Sequence, residues 1–432
     1  MGPNGSASAR RGALVVASAL VLVLVASLVP VASAEVPAGS SRSCKNDPGV
    51  SENEIKVGVI LPKSGPQATS FSDALNGIQA RVDKANAEQE TGKRKITLVD
   101  VDDVADNARN LTAAQQVVQQ DGVFGVIEVS SAAEGGAKFL NQQGVPVVGW
   151  HVGVPAFGKY KNMFGWRNTI PADPLKTFDT RNADLLKQLG ATKIALIGTN
   201  QTSSANFIKK IDQAVKKTKG LKVVYKTTDL SVSDREFTGV VQQIKDSGAD
   251  GMYTGMDFLQ NTALNAALQQ AGVQMKSVIF PGGYDDRTLS LPGMEGAYFG
   301  VEFKPFELNP PAYTEYKAGM DALGKHAAGQ VPYNGWLSAD TFIRGLNAAG
   351  INCPTRKNFI KNLRKVKDYD GNGAYIPVDF NEIFGRTYYC VYYVQVQNQQ
   401  FVPQFDGKPF CATRVIDDGK VRTLSPEEQA KG

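Results

Sequence analysis

Residues 125–139 read GVIEVSSAAEGGAKF, and this stretch combines the two kinds of element that recur along the chain. A β-branched, apolar run typical of a buried strand ends in Ser130 and Ser131, and a small-residue, helix-like segment follows at once. Two interpretations of the serines are open. Serine is a favoured helix N-cap, whereas helix-start N–H groups and the positive end of a helix dipole can also bind an anion such as a carboxylate.

The same strand-then-helix rhythm surrounds this stretch on both sides. Strand-like segments precede it at EIKVGVILP (54–62) and KITLVDVDD (95–103), and VPVVGW (145–150) follows it. Helical patterns of apolar residues separate these strands. Strands that alternate with helices predict βαβ units and a parallel sheet buried on both faces.

A second series of the same kind begins further along the chain. A helix is predicted over 173–190, and strands follow at KIALIGT, LKVVYKTTDL, ADGMYTG and KSVIFPGG, with helices between them. The sequence therefore predicts an α/β protein with two doubly wound parallel-sheet lobes joined by hinge crossovers. The first crossing is expected near 166–173.

The limits of the two lobes are predicted from where the alternation of strands and helices begins again and where it becomes irregular. After Leu291 the pattern becomes irregular, and 368–405 is expected to form strands around glycine-rich turns. The tail comprises 413–432, and from Asp417 onward it is charged and expected to be loose. The predicted limits are 54–170 with 296–350 for the N-terminal lobe, and 171–295 with about 351–412 for the C-terminal lobe.

The first 34 residues have the features of a signal peptide. Arg10 and Arg11 precede an apolar run that ends in ASA at 32–34, which predicts export to the outer side of the cytoplasmic membrane and cleavage after Ala34. A retained signal anchor is the alternative. Residues 35–53 form a polar leader. Cleavage removes two arginines and no acidic residue, so the formal net charge falls from +5 to +3, which excludes a nucleic-acid-binding footprint.

The chain has four cysteines, Cys44, Cys353, Cys390 and Cys411. An even number in an exported chain fits two disulfides, and the spacings contain no Cys-x-x-Cys metal or redox unit. Of three possible pairings, Cys390 with Cys411 is favoured, because closing a loop of about 20 residues would stabilise the fold by about 3 kcal/mol. Cys44 would then pair with Cys353. Lipidation of Cys44 is the alternative.

The sequence lacks familiar catalytic motifs. It has two histidines, His151 and His326, and no GxSxG, HExxH, P-loop or GxGxxG pattern. The acidic run DVDDVAD at 100–106 is better explained by turn and cap carboxylates than by metal binding. We therefore expect no metal, no cofactor and no catalytic residue, and an enzyme based on Lys, Asp or Tyr is kept as an alternative.

Loops at the carboxyl ends of strands, where open α/β sheets bind ligands, form the candidate site. They are rich in Gly, Ser, Thr and aromatic residues, which suit contacts to a small ligand. Two such lobes predict a clamp that closes about a hinge. The loops are KSGPQATSF, SSAAEGG and WHVGVPAFG in the first lobe, and TNQTSSANF, TGMDFLQN and PGGYDDR in the second.

Over about 54–405 the chain resembles the type I periplasmic solute-binding proteins of the branched-chain amino acid family of ABC importers. The resemblance rests on the order of blocks such as EIKVGVILPKSGPQ, WRNTIPADP and KIALIGTN, and on the closing block YDGNGAYIPVDFNEIFGRTYYCVYYVQVQNQQFV. It implies an exported, monomeric, non-enzymatic receptor that binds a small molecule and delivers it to the permease of an ABC transporter.

The resemblance also assigns expected ligand contacts. It places the ligand carboxylate on Ser130 and Ser131, with backbone groups of the loop 149–153, Gly153 included, beside it. Thr202 and Ser203 stand where relatives often carry an aromatic residue. Tyr253 follows a predicted strand and either faces the cleft or belongs to the core.

One departure from the family pattern bears on the ligand. The acidic position that holds an amino-acid ammonium falls near Gly282 or Gly283, which carry no carboxylate. Asp285 or Asp286, about two residues further on, would have to reach the ammonium instead. A buried ammonium without a partner is costly, so this departure disfavours amino acids.

Aromatic residues cluster in the same loops. Trp150, Phe71 and Tyr284 suggest an aromatic-walled pocket, and His151 is either a core residue or a hydrogen-bond donor to the ligand. The expected ligand is a branched-chain amino acid or a related small carboxylate, aromatic acids included. A secreted enzyme and an extracellular sensor domain are the alternative functions.

Overall fold

The computed structural model of the protein describes residues 47–151, 153–167 and 170–431. The predicted signal peptide, its cleavage after Ala34 and most of the leader lie outside the described residues. The described chain contains two large sheets and one small sheet, and helices cover the large sheets. No helix in this described part combines the length and apolar character needed to cross a bilayer.

The first sheet has five parallel strands in the order β2-β1-β3-β4-β5. In β1, Val57 and Leu61 pack into one apolar cluster and Ile60 packs into another on the opposite face. Helices must therefore cover both faces. The strands are β1 (Glu54–Leu61), β2 (Lys95–Asp102), β3 (Gly125–Glu128), β4 (Val147–Gly149) and β5 (Met163–Gly165).

The helices of this lobe divide between the two faces of the sheet. Ile78 and Val82 belong to the cluster on one face, and Ala114 and Leu140 belong to the cluster on the other. A π-helical turn, Gln116–Gln120, continues α3. The helices are α1 (Ala68–Phe71), α2 (Ala74–Ala87), α3 (Asn107–Gln115), α4 (Glu134–Gln142) and α5 (Ala156–Lys159).

The acidic run at 100–106 supplies turn and cap carboxylates. Asp106 Oδ1 accepts a hydrogen bond of 2.9 Å from the backbone N–H of Arg109 and so caps α3. Asp102 Oδ1 accepts backbone N–H groups from Lys63 and Val104. These contacts confirm the capping interpretation of the run.

The chain crosses to the second lobe after β5, and the helix predicted over 173–190 is wrong in its first half. The strand β6 (Thr177–Asp179) comes first, and the helix α6 (Arg181–Gln188) begins after it. β6 pairs antiparallel with Arg414–Asp417, and Phe178 is buried in the same cluster as Ile416. Thr177 and Phe178 are strand-favouring residues whose distant partner decides their conformation.

The second sheet contains eight strands, in the order β13-β12-β11-β10-β9-β7-β8 with β14 beside β12. β7 to β11 pair in parallel, and β12 to β14 are antiparallel. The strands are β7 (Lys193–Thr199), β8 (Lys222–Leu230), β9 (Gly251–Gly255), β10 (Ser277–Phe280), β11 (Tyr298–Val301), β12 (Cys390–Gln397), β13 (Gln400–Pro403) and β14 (Phe410–Cys411). The helices between them are α7 (Thr202–Lys216), α8 (Thr238–Ser247) and α9 (Phe258–Gln270).

The return to the first lobe begins later than the expected position near 296. Tyr298 of β11 pairs with Ile279 of β10, so the second sheet holds the chain as far as Val301. The next two helices then pack against α2 of the first lobe. These helices are α10 (Pro311–Ala322), which starts with proline, and α11 (Gln330–Ala349).

The first lobe also keeps the next helix, α12 (Arg356–Leu363), which was expected in the second lobe. Phe359 of α12 contacts the rings of Phe124 and Phe342 in the core of the first lobe. The chain therefore crosses back to the second sheet only ahead of β12. Most of 368–389, expected to form strands, consists of turns, with one isolated bridge between Tyr369 and Val378.

The tail is ordered into a hairpin, so the expectation of a loose segment is wrong. The strands β15 (Arg414–Asp417) and β16 (Lys420–Thr423) pair with each other, and β15 pairs with β6. Val415 and Leu424 are buried, which gives the hairpin an apolar anchor. A short helix, α13 (Pro426–Lys431), follows.

The predicted disulfide between Cys390 and Cys411 is confirmed. It joins β12 to β14, where the two cysteines are paired residues of the ladder. Cys353 is also disulfide-bonded. Its expected partner, Cys44, lies outside the described residues, so that pairing and the lipidation alternative stay predictions.

Candidate functional site

The carboxyl-end loops of the two large sheets lie against each other, and we call the junction between them the cleft. Gln67, in the loop after β1, donates from Nε2 to Oε1 of Gln201, in the loop after β7, over 3.1 Å. His151, after β4, lies with Nε2 3.4 Å from Oε1 of Glu302, after β11. The parallel strands of each sheet point toward this cleft, which is the arrangement expected for a ligand site in open α/β sheets.

Ser130 does not face the cleft. Its side chain is fully buried, its Oγ donates to Asp103 Oδ2 over 2.5 Å, and it accepts the backbone N–H of Ala132. The local turn-capping interpretation therefore describes Ser130, and the expected ligand contact is corrected. The strand residue Glu128 and Asn110 extend this buried polar network.

The acidic members of that network are held away from water. Burial raises the pKa of Asp103, although hydrogen bonds from Ser130 and Asn110 oppose the rise. Burial and the neighbouring Asp103 raise the pKa of Glu128 well above its ordinary value. A fully used hydroxyl in such a network has no donor left for a ligand.

Ser131 lies at the cleft, unlike its neighbour. It is half-buried, and its Oγ donates to Gln67 Oε1 over 2.7 Å. Because Gln67 also bonds Gln201, the three side chains form one chain of hydrogen bonds from the first lobe to the second. Sequence reasoning placed both glutamines in candidate loops without singling them out.

The predicted aromatic wall is present in part. The rings of Phe71 and Trp150 lie 5.9 Å apart, and Trp150 is half-buried at the end of β4. Tyr284 does not join them. It is buried against Phe306 and Phe401, and its hydroxyl donates to Glu307 Oε2 over 2.6 Å.

His151 is buried and already has partners. Its Nδ1 accepts the backbone N–H of Gly153 over 3.1 Å, and its Nε2 faces Glu302. Gly153 has a φ of 75°, which glycine adopts without strain. Gly149 is confined, since a Cβ there would lie 1.8 Å from the carbonyl oxygen of Glu128.

Two of the second-lobe residues singled out lie at the start of α7. Thr202 is exposed and Ser203 is half-buried, and the preceding Gln201 makes no side-chain cap hydrogen bond. Tyr253 is corrected to a core residue. It is buried within the second sheet, where its ring lies 5.8 Å from that of Phe207.

The loop after β10 carries no carboxylate that is free to bind an ammonium. Both oxygens of Asp285 accept hydrogen bonds of 2.7 Å from the guanidinium of Arg287, whose Nη2 also reaches Asp73 in the first lobe. The expected ligand role of Asp285 is therefore corrected. Gly283 has a φ of 112°, and a Cβ there would lie 3.1 Å from Phe258, an aromatic residue that sequence reasoning did not identify.

One group of side chains could approach a cation. Ligand atoms of Asp285, Asp286 and His326 lie within 4.8 Å of one another. His326 Nε2 is 2.9 Å from Asp286 Oδ1, while Arg287 occupies Asp285. Both carboxylates of the group therefore already have side-chain partners within the protein.

A carboxylate does lie at the cleft end of β9. Asp257 Oδ1 accepts the backbone N–H of Gln260 and caps α9, while its buried Oδ2 has no hydrogen-bond partner. Burial raises the pKa of Asp257. Helix capping therefore explains the position of Oδ1 but leaves Oδ2 without a partner.

A buried charged cluster lies where the chain passes between the lobes. Arg167, just after β5, donates from Nη2 to the carbonyl of Cys390 over 3.0 Å, and its guanidinium lies 5.7 Å from the ring centroid of Tyr388. Glu302 lies between His151 and Tyr388. Burial alone would raise the pKa of Glu302, but these neighbours and Arg167 lower it to about 2.

Comparison with known proteins gives one family and several structural relatives. The sequence model of a family described as periplasmic binding protein matches residues 54–400. A curated relative, Leu/Ile/Val-binding protein homolog 3 of Brucella melitensis, is 24% identical over 227 residues. That match covers 51% of this chain and 59% of the relative, so the chain spans somewhat over half of the relative's length.

Solved structures share the fold at low sequence identity. A branched-chain amino acid ABC transporter protein from Thermus thermophilus with bound valine has a TM-score of 0.73 and 13% identity, covering 84% of this chain and 98% of its own. A solute-binding protein from R. palustris in complex with benzoate has a TM-score of 0.69 and 16% identity, covering 83% and 97%.

Proposed function

This chain belongs to the periplasmic binding protein family, and we propose that it is the extracytoplasmic substrate-binding protein of an ABC importer. It binds a small carboxylate between its lobes and delivers it to the permease. The observation that carries the proposal is the hydrogen-bonded chain Ser131–Gln67–Gln201, which joins the carboxyl-end loops of the two sheets. Members of the family are solute-binding proteins, which agrees with a binding role without catalysis.

The ligand class follows from the walls of the cleft. Phe71 and Trp150 offer an apolar surface. Ser131 now donates to Gln67 Oε1, and a ligand carboxylate would take the place of that oxygen as the acceptor. The positions Gly282 and Gly283 carry no carboxylate for an ammonium, and Asp285 is held by Arg287. The empty ammonium position favours a small aromatic or aliphatic acid, whereas the unpartnered oxygen of Asp257 at the cleft end of β9 would suit an amino acid. Both ligand classes therefore belong to the proposal, and solved relatives are bound to valine and to benzoate.

Export and a monomeric state complete the proposal. The N-terminal sequence supports cleavage after Ala34 and a location on the outer side of the cytoplasmic membrane. N-terminal sequencing of the exported protein should start at Glu35. A chain that still carries the apolar run would favour an anchored sensor instead.

A ligand panel tests the function. Thermal unfolding and calorimetric titration with leucine, isoleucine, valine, benzoate and 4-hydroxybenzoate should identify at least one saturable ligand. A ligand at 100 times its dissociation constant adds about 2.7 kcal/mol to the free energy of unfolding. Benzamide and leucinamide, which lack the carboxylate, are the controls and should bind far more weakly. Absence of any saturable ligand, or turnover of one, would contradict the proposal.

A further inference from the structure

The three segments that join the lobes bring charged or hydrogen-bonding side chains to one point. Arg167 follows β5 on the first crossing, Glu302 follows β11 on the second, and Tyr388 precedes β12 on the third. The guanidinium groups of Arg167 and Arg181 lie 5.7 Å and 4.8 Å from the ring centroid of Tyr388. The ring of His151 lies 6.0 Å from the same ring.

This hinge cluster contains more basic than acidic side chains. Arg167, Arg181 and Lys210 face two carboxylates, Asp179 and Glu302, and all five side chains are almost entirely removed from water. Asp179 lies 3.9 Å from Lys210. Burial alone would raise the pKa of Asp179, but the charges of Arg181 and Lys210 lower it below its ordinary value. A buried positive charge without a counter-ion is unfavourable, so the composition of the cluster suits one additional negative charge.

Hydrogen bonding within the cluster is also incomplete. Arg167 Nη1 and Arg181 Nε are buried and have no hydrogen-bond partner. His151 Nε2 is also buried and lies 3.4 Å from Glu302 Oε1 without a hydrogen bond between them. The Nδ1 of His151 accepts the N–H of Gly153, so a neutral ring carries its proton on Nε2 and offers a donor there. Buried donors normally have acceptors, and the two unpartnered guanidinium donors of this cluster point to an absent acceptor.

The cluster adjoins the candidate cleft directly. His151 is the residue after Trp150, whose ring contacts Phe71 in the aromatic wall. Arg167 follows the buried Trp166 at the cleft end of β5, the strand next to β4. The hinge cluster is therefore adjacent along the chain, and in the neighbouring strand, to the aromatic wall.

We propose that Arg167, assisted by His151, binds the carboxylate of the ligand at the hinge, in the role first expected of Ser130. The proposal rests on the proposed function, because it names the ligand's anionic end and its anchor in the same cleft. The carboxylate then contacts the first lobe through Arg167 and His151 and the second lobe through Arg181. Ligand binding and lobe closure are coupled by this shared contact.

A small-anion titration tests the anchor without needing the natural ligand. Formate is the probe, because it is a carboxylate with almost no side-chain requirement, and chloride at equal ionic strength is the reference. The thermal midpoint of the wild-type protein should rise with formate concentration, and Arg167→Gln should abolish the rise. An unchanged wild-type midpoint, or an equal rise in R167Q, overturns the proposal and leaves water as the partner of the orphan donors.

A matched control separates anion binding from loss of a buried arginine. Arg364 is also largely buried, but it donates to the carbonyls of Lys161, Met163 and Phe380 on the outer side of the first lobe. Arg364→Gln should lower the midpoint and still show the full formate-dependent rise. Loss of the rise in R364Q would show that the readout reports general stability, and this would overturn the assignment to Arg167.

Failure of this proposal can be told apart from failure of the proposed function. If benzoate or another panel acid binds, R167Q should weaken it about tenfold or more, as loss of a charged hydrogen bond implies. An unchanged affinity overturns the anchor and leaves the function intact. If R167Q does not fold, a crystal structure of wild-type protein with that acid decides: a carboxylate bonded to Arg167 Nη1 supports the anchor, and one bonded only to Ser131 overturns it.

Discussion

Gln67 and Gln201 are hydrogen-bonded across the cleft, with Nε2 of the first 3.1 Å from Oε1 of the second. Gln67 comes from the loop after β1 and Gln201 from the residue before α7, so their bond exists only when the lobes are close. A single side-chain hydrogen bond contributes about 0.5–1.5 kcal/mol. The pair can therefore bias the closed state without preventing opening.

Substitution of these glutamines should show that they act as a pair. Gln67→Ala and Gln201→Ala should each weaken ligand binding, and the double variant should lose less than the sum, with a coupling energy of about 1 kcal/mol. Gln67→Ala should lose slightly more, because it also removes the partner of Ser131. Calorimetric titration of the four proteins measures the coupling. Strict additivity would mean that the contact has no energetic role.

The aromatic pair should control affinity for ring-containing acids. Trp150→Ala removes the ring that faces Phe71 and should weaken benzoate about tenfold, since aromatic contacts contribute beyond their buried area. Binding of an aliphatic acid of similar size should weaken less. Competition titrations with the two acids measure how much the affinity for each acid falls in the variant. Equal losses would indicate that the pair supports the loop without contacting the ligand.

Tyr284 should matter for stability and leave affinity unchanged. Tyr284→Phe removes a hydroxyl that donates to Glu307 and accepts the backbone N–H of Phe306. We expect the free energy of unfolding in urea to fall by about 1–2 kcal/mol. Ligand affinity should stay within twofold of wild type. A large loss of affinity in a folded Y284F protein would indicate that Tyr284 contacts the ligand after all.

Glu302 should contribute to stability at neutral pH and lose that contribution in acid. Burial would raise its pKa, but His151, Tyr388 and Arg167 lower it from 4.5 to about 2. A carboxylate with a lowered folded-state pKa stabilises the protein above the unfolded value of about 4.5, and the stabilisation is lost as pH falls toward 2. The shift corresponds to about 3 kcal/mol.

Urea unfolding of wild type and Glu302→Gln between pH 7 and pH 2.5 checks this dependence. The difference in the free energy of unfolding between the two proteins should be largest at neutral pH and should shrink below about pH 4.5. The outer carboxylate Asp379, also with a lowered pKa, provides a comparison through Asp379→Asn. A difference that stays constant across this range would show that Glu302 is not stabilised as an anion.

The disulfide between Cys390 and Cys411 should stabilise the second sheet. Replacing both cysteines with serine opens a loop of sequence separation 21 and should lower the free energy of unfolding by about 3 kcal/mol. The other cysteines stay intact, and thiol titration of the unfolded variant should detect no free thiol from them. An unchanged urea midpoint would show that the β12–β14 pairing holds without the bond.

The sequence predicted the repeated parts of the fold and missed the parts that depend on distant partners. Parallel strands such as β1 and β7 have apolar residues on both faces, a local signal that periodicity detects. Thr177–Asp179 lies in a helix-like context, and its strand conformation comes from pairing with 414–417. No local pattern carries that information.

Dependence on distant partners also explains why some of the expected site residues lie at the cleft and others do not. Ser130 and Ser131 are adjacent, and only the buried Asp103 and Asn110 network decides that the first serine points inward. Tyr253 lies in the core because successive residues of a strand point to opposite faces of the sheet. Which face Tyr253 takes depends on where β9 begins and ends, and the sequence alone does not fix those limits. No sequence motif marks the hinge residues Arg167 and Glu302, because they are far apart in the sequence and come together only where the chain crosses between the lobes.

The small sheet formed by β6, β15 and β16 constrains when the second lobe can be completed. Thr177 and Asp417, which hydrogen-bond across this sheet, are 240 positions apart, so β6 leaves the first crossing with an open edge while the intervening chain is being made. Contacts of such long range form late in folding. Synthesis therefore has to deliver residues 414–423 before the second lobe can adopt its final shape.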